Sequence, residues 1–196
     1  MTNAQTLASD RPLARKRDAD ATRAAILAAA KTHFARSGYE GGYLRDIAAD
    51  AGVDAALINR YFGGKDGLFA AALKDSIRPD AISQWERQTF GRDIAQMMAN
   101  HAHHDNDRMH AFQFLLRAAT SPATAPLLNE AVQDRFMAPI RSWIGGEQAE
   151  ARARIVASVF IGLLVERLIR DEPLADTERD AFIERTGELL QSLVDH

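Results

Sequence analysis

Apolar positions recur along this chain at intervals of three and four, which predicts helices that each bury one face. The most tightly organised stretch is Leu44 to Leu68, where Leu44, Ile47, Ala48 and Ala51 form a single stripe. Gly52 breaks that stripe. Asp54 follows, where a carboxylate can accept the free N–H groups of the next turn and complement the helix dipole. The spacing therefore predicts a second helix from Ala55, with Val53, Ile58 and Phe62 packed inward. Ala55, Ala56, Asn59 and Arg60 are left together on the opposite face. A helix, a Gly-centred turn and a second helix with a small, polar outer face make a helix-turn-helix pattern, and that outer face would be its reading head.

The same periodicity places a long helix before this stretch and one after it. Ile26, Ala30 and Phe34, with Leu27 beside them, predict a helix over Asp20 to Ser37 that Gly38 ends. Gly63 and Gly64 end the reading helix, and Leu68, Ala72 and Leu73 predict another over Lys65 to Ile77, stopped before Pro79. From residue 79 onward the pattern stays helical with no convincing strand. Helices are expected over Asp93–Ala102, Arg108–Ala119, Ala125–Ile144, Glu147–Arg170 and Asp176–Val194, while Trp85 and Phe90 lend apolar weight to residues 80–90. The expected fold is all-α. A flexible basic arm (1–19) precedes a three-helix helix-turn-helix domain (20–64), a connecting helix (65–78) and a helical C-terminal domain (79–196).

At 196 residues with 46% hydrophobic content the chain can bury a core. It has no cysteine, which removes disulfides, thiolate metal sites and cysteine nucleophiles and fits a reducing cytoplasm. The first residues contain no apolar signal-peptide core, and the most apolar run, Ile155 to Ile169, is too short to span a bilayer and carries Glu166 and Arg167. A cytoplasmic protein without a membrane span is the expectation. The net charge of −3 hides an asymmetry. Residues 1–78 hold twelve Lys or Arg against nine Asp or Glu, a balance of +3, and the remainder holds twelve Arg against eighteen acids, a balance of −6. Only the first part is suited to phosphates. Arg11, Arg15, Lys16 and Arg17 in the leader are compatible either with a solvated tail or with an arm that reaches a minor groove.

Several chemistries fail on spacing. Gly63-Gly64-Lys65 is followed by Asp66 and lacks the earlier Gly of a P-loop, and Asp105-Asn106-Asp107 lacks the Gly and terminal Glu of an EF-hand. His101, His103, His104 and His110 with Asp105 and Asp107 could bind a transition metal in principle, but HAHHDND reads as a loop with no strict ligand spacing. His33, beside Phe34, reads as a structural or surface histidine. No Ser-His-Asp order with motif context, HExxH or Gly-rich nucleotide loop supports a catalytic centre. Neither a metal nor a cofactor is expected, and the protein is not expected to be an enzyme.

Residues 22–73 resemble the DNA-binding domain of the tetracycline-repressor (TetR) family of bacterial transcriptional regulators. The matching pieces are Thr22-Arg23 with Ile26-Leu27, Ala29-Ala30 and Phe34, then Gly38-Tyr39, Arg45-Asp46-Ile47-Ala48, Ala51-Gly52-Val53, and Tyr61-Phe62-Gly63-Gly64-Lys65 with Leu68. The chain departs from the family pattern at three places that face DNA. Gly42-Tyr43 replaces a hydroxyl pair, leaving the second helix to be capped through the Gly42 N–H or the Tyr43 phenol. Asp54 replaces a Ser or Thr, and Asn59 stands where a Tyr is frequent.

The resemblance implies a homodimer on a pseudo-palindromic double-stranded operator, most simply a repressor released by a small molecule of unknown identity. Asn59 would bond a base edge, Arg60 guanine or phosphate, and Ala55 and Ala56 would admit thymine methyls. Tyr43, Arg45, Tyr61 and Lys65 would hold the backbone. Met97, Met98, His101, Phe112, Leu116, Arg117, Phe136, Trp143 and Phe160 are the candidate ligand pocket, suited to a hydrophobic or aromatic molecule. Ile155, Val159, Gly162 and Glu166 on one helix and Phe182, Thr186, Leu189, Leu190 and Leu193 on the last are the candidate dimer face. Two other readings are a helical enzyme carrying a helix-turn-helix remnant and a helical protein-interaction module. Salt-dependent binding to a specific duplex separates the regulator from both.

Overall fold

The computed structural model describes residues 10–77, 84–99, 106–169 and 174–195. All elements among them are helical and none is a strand, as the periodicity predicts. The chain forms two compact units, residues 1–73 and 74–196.

The first unit contains α1 (Asp10–Gly41), α2 (Leu44–Asp50), α3 (Ala56–Phe62) and most of α4 (Lys65–Ser76). α1 begins ten residues before the expected start. Leu, Ala, Arg and Lys in this segment favour helix, and Pro12 falls in the opening turn, where a missing N–H costs nothing. The long helix is interrupted at Gly38, whose φ of 69° and ψ of −175° no helix contains. Ile26, Ala30 and Phe34 of α1 are fully buried with Ile47, Ile58, Leu68, Ala72 and Leu73, so the predicted stripes are the core. Phe34 packs edge-on against Phe69 at 4.8 Å, and Tyr39 packs edge-on against the same ring at 5.1 Å. His33 is a structural histidine: buried on α1, it shares a hydrogen bond of 2.6 Å with Asp50 at the end of α2.

The second unit contains α5 (Phe90–Ala99), α6 (Asn106–Thr120), α7 (Ala125–Val132), a π turn (Gln133–Met137), α8 (Ala138–Ile144), α9 (Ala149–Ile169) and α10 (Asp176–Ser192). The helix expected over Ala125 to Ile144 is thus present, but widened in its middle. Pro139 supplies the cause: it has no N–H for the Arg135 carbonyl and its ring crowds that carbonyl, which a π turn relieves. Phe90, Ile94, Met98, Met137, Ile140, Ile144, Val156, Leu190 and Val194 lie in one apolar cluster with the Trp85 and Trp143 rings at its edge.

α5 and α10 cross at a glycine pair. A methyl group on Gly91 would overlap the Gly187 carbonyl oxygen, so only glycine permits this approach. Gln191 locks the crossing by accepting from the Gly91 N–H at 3.0 Å and donating to the Arg87 carbonyl at 2.8 Å. Arg87 in turn donates to the Ile144 carbonyl (2.9 Å) and the Val194 carbonyl (2.7 Å), and buried Arg152 donates to the Gly145 carbonyl. Two guanidiniums therefore satisfy carbonyls where α8 and α10 end, the position at which a cation also complements the helix dipole. Near the start of this unit Lys74 donates to Glu130 at 2.8 Å and Asp134 at 3.0 Å, and those bonds hold its ammonium above the ordinary lysine pKa.

Candidate nucleic-acid interface

α2, the turn and α3 form as the residues dictate. Gly52 adopts φ 68°, which returns the chain sharply enough for the Val53 N–H to donate to the Ala48 carbonyl at 2.9 Å. Asp54 Oδ1 accepts from the Ala56 N–H at 2.7 Å and the Asp54 carbonyl from the Leu57 N–H at 3.0 Å, so Asp54 caps α3 and the regular turns begin at Ala56. Ile58 is fully buried, which fixes the inner face of α3. Ala56, Asn59 and Arg60 are then exposed on the outer face, with Ala55 half-buried beside them. Gly63 ends α3 in the left-handed region (φ 75°), its N–H donating to the Asn59 carbonyl at 2.9 Å. Gly67 completes the tight exit: a side chain there would overlap the Phe62 carbonyl, so α4 could not start so close to α3.

The flanking residues expected on the DNA backbone are presented differently from one another. Tyr43 is 64% exposed and Arg45 is exposed, whereas Tyr61 and Lys65 are half-buried. The Lys65 ammonium lies 4.7 Å from the Tyr39 ring centre and 6.0 Å from that of Tyr43, and it donates to the Glu40 carbonyl at 3.1 Å. The Tyr39 phenol donates to Asp66. That hydrogen bond, with partial burial and the charges of Asp66 and Glu40, pushes the phenol up to about 12 and keeps it a neutral donor. The Gly42 N–H is engaged with the Tyr39 carbonyl at 3.3 Å, and no side chain caps α2; instead the Tyr43 carbonyl accepts the N–H groups of Asp46 and Ile47. The expected Gly42 or phenol cap is therefore replaced by a main-chain turn. Gly42 serves another purpose, since a methyl group there would overlap the Phe34 ring.

One contact links α1 to the end of the reading helix. Arg23 Nη1 donates to the Tyr61 carbonyl at 2.8 Å, and the guanidinium carbon lies 4.4 Å from the Phe62 ring centre. The pattern placed Arg23 off the buried stripe but did not show this partner, which lies 38 residues away. Tyr39 with Asp66 and Gly67 were likewise missed; the only local signal was the position of Asp66 and Gly67 in the first turn of α4.

In the second unit, Met98 and Phe112 are buried in the apolar cluster, and Met97, Leu116, Phe136, Trp143 and Phe160 are half-buried against it. Phe136, within the π turn, meets Phe160 of α9 at 6.4 Å. Arg117 is exposed and so does not line this cluster, because its helical position points away from Phe112 and Leu116. His101 and the residues to Asp105 lie outside the described residues; His110 is exposed on α6. On α9, Ile155, Gly162 and Glu166 are exposed and Val159 is half-buried. On α10, Leu189 is 52% exposed while Phe182 and Thr186 are half-buried, as is Leu193 just after the helix. Leu190 is fully buried in the intrachain core and cannot belong to an outer face, since adjacent helical positions differ by a large rotation. Ile161 (52%) and Ile169 (76%) were not foreseen as exposed. Ile169 follows Glu166 by three, so the stripe already named could have reached it.

The model of the bacterial regulatory proteins of the tetR family matches residues 26–72, and that of the tetracyclin repressor-like C-terminal domain matches residues 82–194. An HTH-type transcriptional repressor of Streptomyces coelicolor is 43% identical over 67 residues, which span 34% of this chain and 35% of that protein. The HTH-type transcriptional regulator BetI of Agrobacterium fabrum is 25% identical over 174 residues, 83% of this chain and 84% of that protein. Among solved structures, the multidrug binding protein EbrR complexed with proflavin superposes with a TM-score of 0.59 at 20% identity, over 88% of this chain and 99% of that one. With both family models matched in order, and the second alone spanning more than half of the chain, the protein belongs to the TetR family of bacterial DNA-binding transcriptional regulators.

Proposed function

We propose that this chain is a cytoplasmic, non-enzymatic homodimer that represses transcription from a pseudo-palindromic operator and leaves it when a small apolar or aromatic molecule binds the second unit. The observation that carries the reading is the outer face of α3. Ala56, Asn59 and Arg60 are free of the core while Ile58 and two end anchors hold the helix beneath them. Asn59 can pair with a base edge, Arg60 with guanine or a phosphate, and Ala55 and Ala56 leave room for thymine methyls. Tyr43, Arg45, Tyr61 and Lys65 hold the strand.

The exposed side of α9 and α10 supports the dimer. Ile155, Ile169 and Leu189 are apolar and open to solvent. Gly162 sits mid-helix, where glycine costs about 1 kcal/mol relative to alanine, yet a methyl group there would meet no neighbouring atom within 4 Å among the described residues. A second helix arriving at that spot is a reason for the glycine. For the ligand, Met97, Met98, Phe112, Leu116, Phe136, Trp143 and Phe160 offer a soft apolar and aromatic wall. The proflavin complex of EbrR is in keeping with a flat aromatic molecule against such a wall. Ligand binding would favour a spacing of the two reading heads that no longer fits successive major grooves, an equilibrium shift set by differential affinity for two states.

The experiment is a gel shift on the DNA flanking the protein's own gene at raised salt. Wild type is expected to form a discrete complex and Arg60→Ala to lose affinity at least tenfold, the equivalent of one good base contact at roughly 1–3 kcal/mol. An Arg60→Ala protein that binds as well as wild type would show that the reading head is misassigned.

A further inference from the structure

α3 is seven residues long, and a helix of under two turns has almost no stability of its own in water. Its direction is set by what grips its ends. Asp54 holds the first turn from within the motif. The last turn is held from outside by Arg23 of α1, which donates to the Tyr61 carbonyl at 2.8 Å while its guanidinium stands over the Phe62 ring at 4.4 Å. One planar cation makes both contacts with separate parts of its plane, its face over the ring and an in-plane N–H at the carbonyl, whereas lysine would have to bring the single nitrogen at the end of a shorter stem to both at once. The gripped carbonyl belongs to the residue that directly follows Asn59 and Arg60. A small rotation of this turn therefore displaces both side chains, and hydrogen bonds to base edges weaken steeply with such displacement.

We infer that Arg23 is a positioning residue for sequence reading: seated between the Tyr61 carbonyl and the Phe62 ring, it sets the direction of α3 and hence the register of Asn59 and Arg60 on base edges. The inference rests on the DNA-binding reading above. It assigns Arg23 a role opposite to that of a phosphate contact, the use its exposed charge near the start of the domain would otherwise suggest.

The test uses the full chain, a duplex recovered by the wild type from a random library, and a scrambled duplex of the same composition, each titrated over a range of KCl. Arg23→Met keeps an apolar stem on Phe62 but has no donor; Arg23→Lys keeps the charge but not the planar fork. Both are expected to lose about tenfold on the recovered duplex, to bind the scrambled duplex like wild type, and to keep the wild-type salt slope. A phosphate contact would give the reverse: Arg23→Lys near wild type, and Arg23→Met weaker on both duplexes with a salt slope smaller by about one. That result, or wild-type behaviour of Arg23→Lys on the recovered duplex, overturns the inference. Binding is measured well below each variant's melting midpoint, and if Arg23→Met does not fold, Arg23→Lys decides alone. A wild-type protein that recovers no duplex at all defeats the DNA-binding reading itself, and this inference with it.

Discussion

The two units hold their helices by different means. In the first, a seven-residue reading helix is kept in place by one buried isoleucine and a few polar contacts at its ends: Asp54 on the first turn, Arg23 on the last, and glycines where the chain reverses. In the second, a 21-residue helix and its neighbours share a broad apolar cluster, and Arg87 and Arg152 satisfy carbonyls at its perimeter. The difference follows from length. A short helix cannot bury enough area to fix its own direction, so individual polar residues decide its geometry. Long helices distribute the same task over many side chains, and the residues on their outer faces are free to serve a partner.

The sharpest way to separate inner from outer in the second unit is the adjacent pair Leu189 and Leu190. Leu190 is fully buried, so Leu190→Ala is expected to destabilise by about 2–5 kcal/mol in a urea melt. Leu189 is half open to solvent, and Leu189→Ala is expected to leave monomer packing nearly unchanged while weakening self-association, read by sedimentation across a concentration series. If both substitutions cost equal stability at low protein concentration, the outer face of α10 is part of the intrachain core and the dimer surface lies elsewhere.

A second substitution tests whether the second unit depends anywhere on one position as the first unit does. Gly91→Ala drives a methyl group into the Gly187 carbonyl at the α5–α10 crossing. Overpacking against backbone is expected to cost about 1–3 kcal/mol, visible as a lower thermal midpoint. Gly162→Ala serves as the control: its methyl group meets no neighbouring atom within 4 Å among the described residues and should raise monomer stability by helix propensity, so a loss it causes points to association.

What was legible in the sequence divides along the range of the interaction. Gly52 and Asp54 declare a turn and a cap within a few residues of the groups they serve, and the stripes Ile26-Ala30-Phe34 and Leu44-Ile47-Ala48 name a core because a helix repeats every few positions. Arg23 on the Tyr61 carbonyl, 38 residues on, and Gly91 against Gly187 have no such signal, since periodicity says which face is buried but not what lies across from it. The assignment of Leu190 to an outer face failed for a related reason: several leucines in the last helix look alike in composition, and the side each takes depends on the packing of α5. The early start of α1 at Asp10 was hidden by charge, because a basic run reads as a solvated leader even where its helix propensity is high.

The third substitution returns to the first unit. Asp54→Ala removes the side chain that accepts the Ala56 N–H and leaves the start of α3 uncapped, at an expected cost of about 1 kcal/mol in the melting of that unit. Asp54→Ser, which can still cap, should recover most of it. Because Asp54 also presents negative charge beside the face proposed to meet DNA, the serine variant should bind duplex more tightly than wild type at equal stability. A serine variant as stable as wild type but no tighter on DNA would mean that the carboxylate is too far from phosphate to be felt.

The smallest effect concerns charge at the surface of the second unit. Glu150, in the first turn of α9, accepts from Arg154 at 2.9 Å and from Arg141 of α8 at 3.3 Å. The Arg154 bond, opposed in part by desolvation and joined by Arg141, holds the carboxyl below its ordinary value of 4.5. A depressed carboxylate pKa contributes stability that is present above the ordinary value and is lost as pH falls through the folded one. The melting midpoint of wild type should therefore exceed that of Glu150→Gln slightly at neutral pH, and the gap should close as the solution is acidified below 4.5. Raised salt should narrow it as well, since exposed pairs are screened. A gap that survives both acid and salt would show that the side chain contributes through its packing between α8 and α9, and that even this exposed corner follows the rule of burial seen in the rest of the second unit.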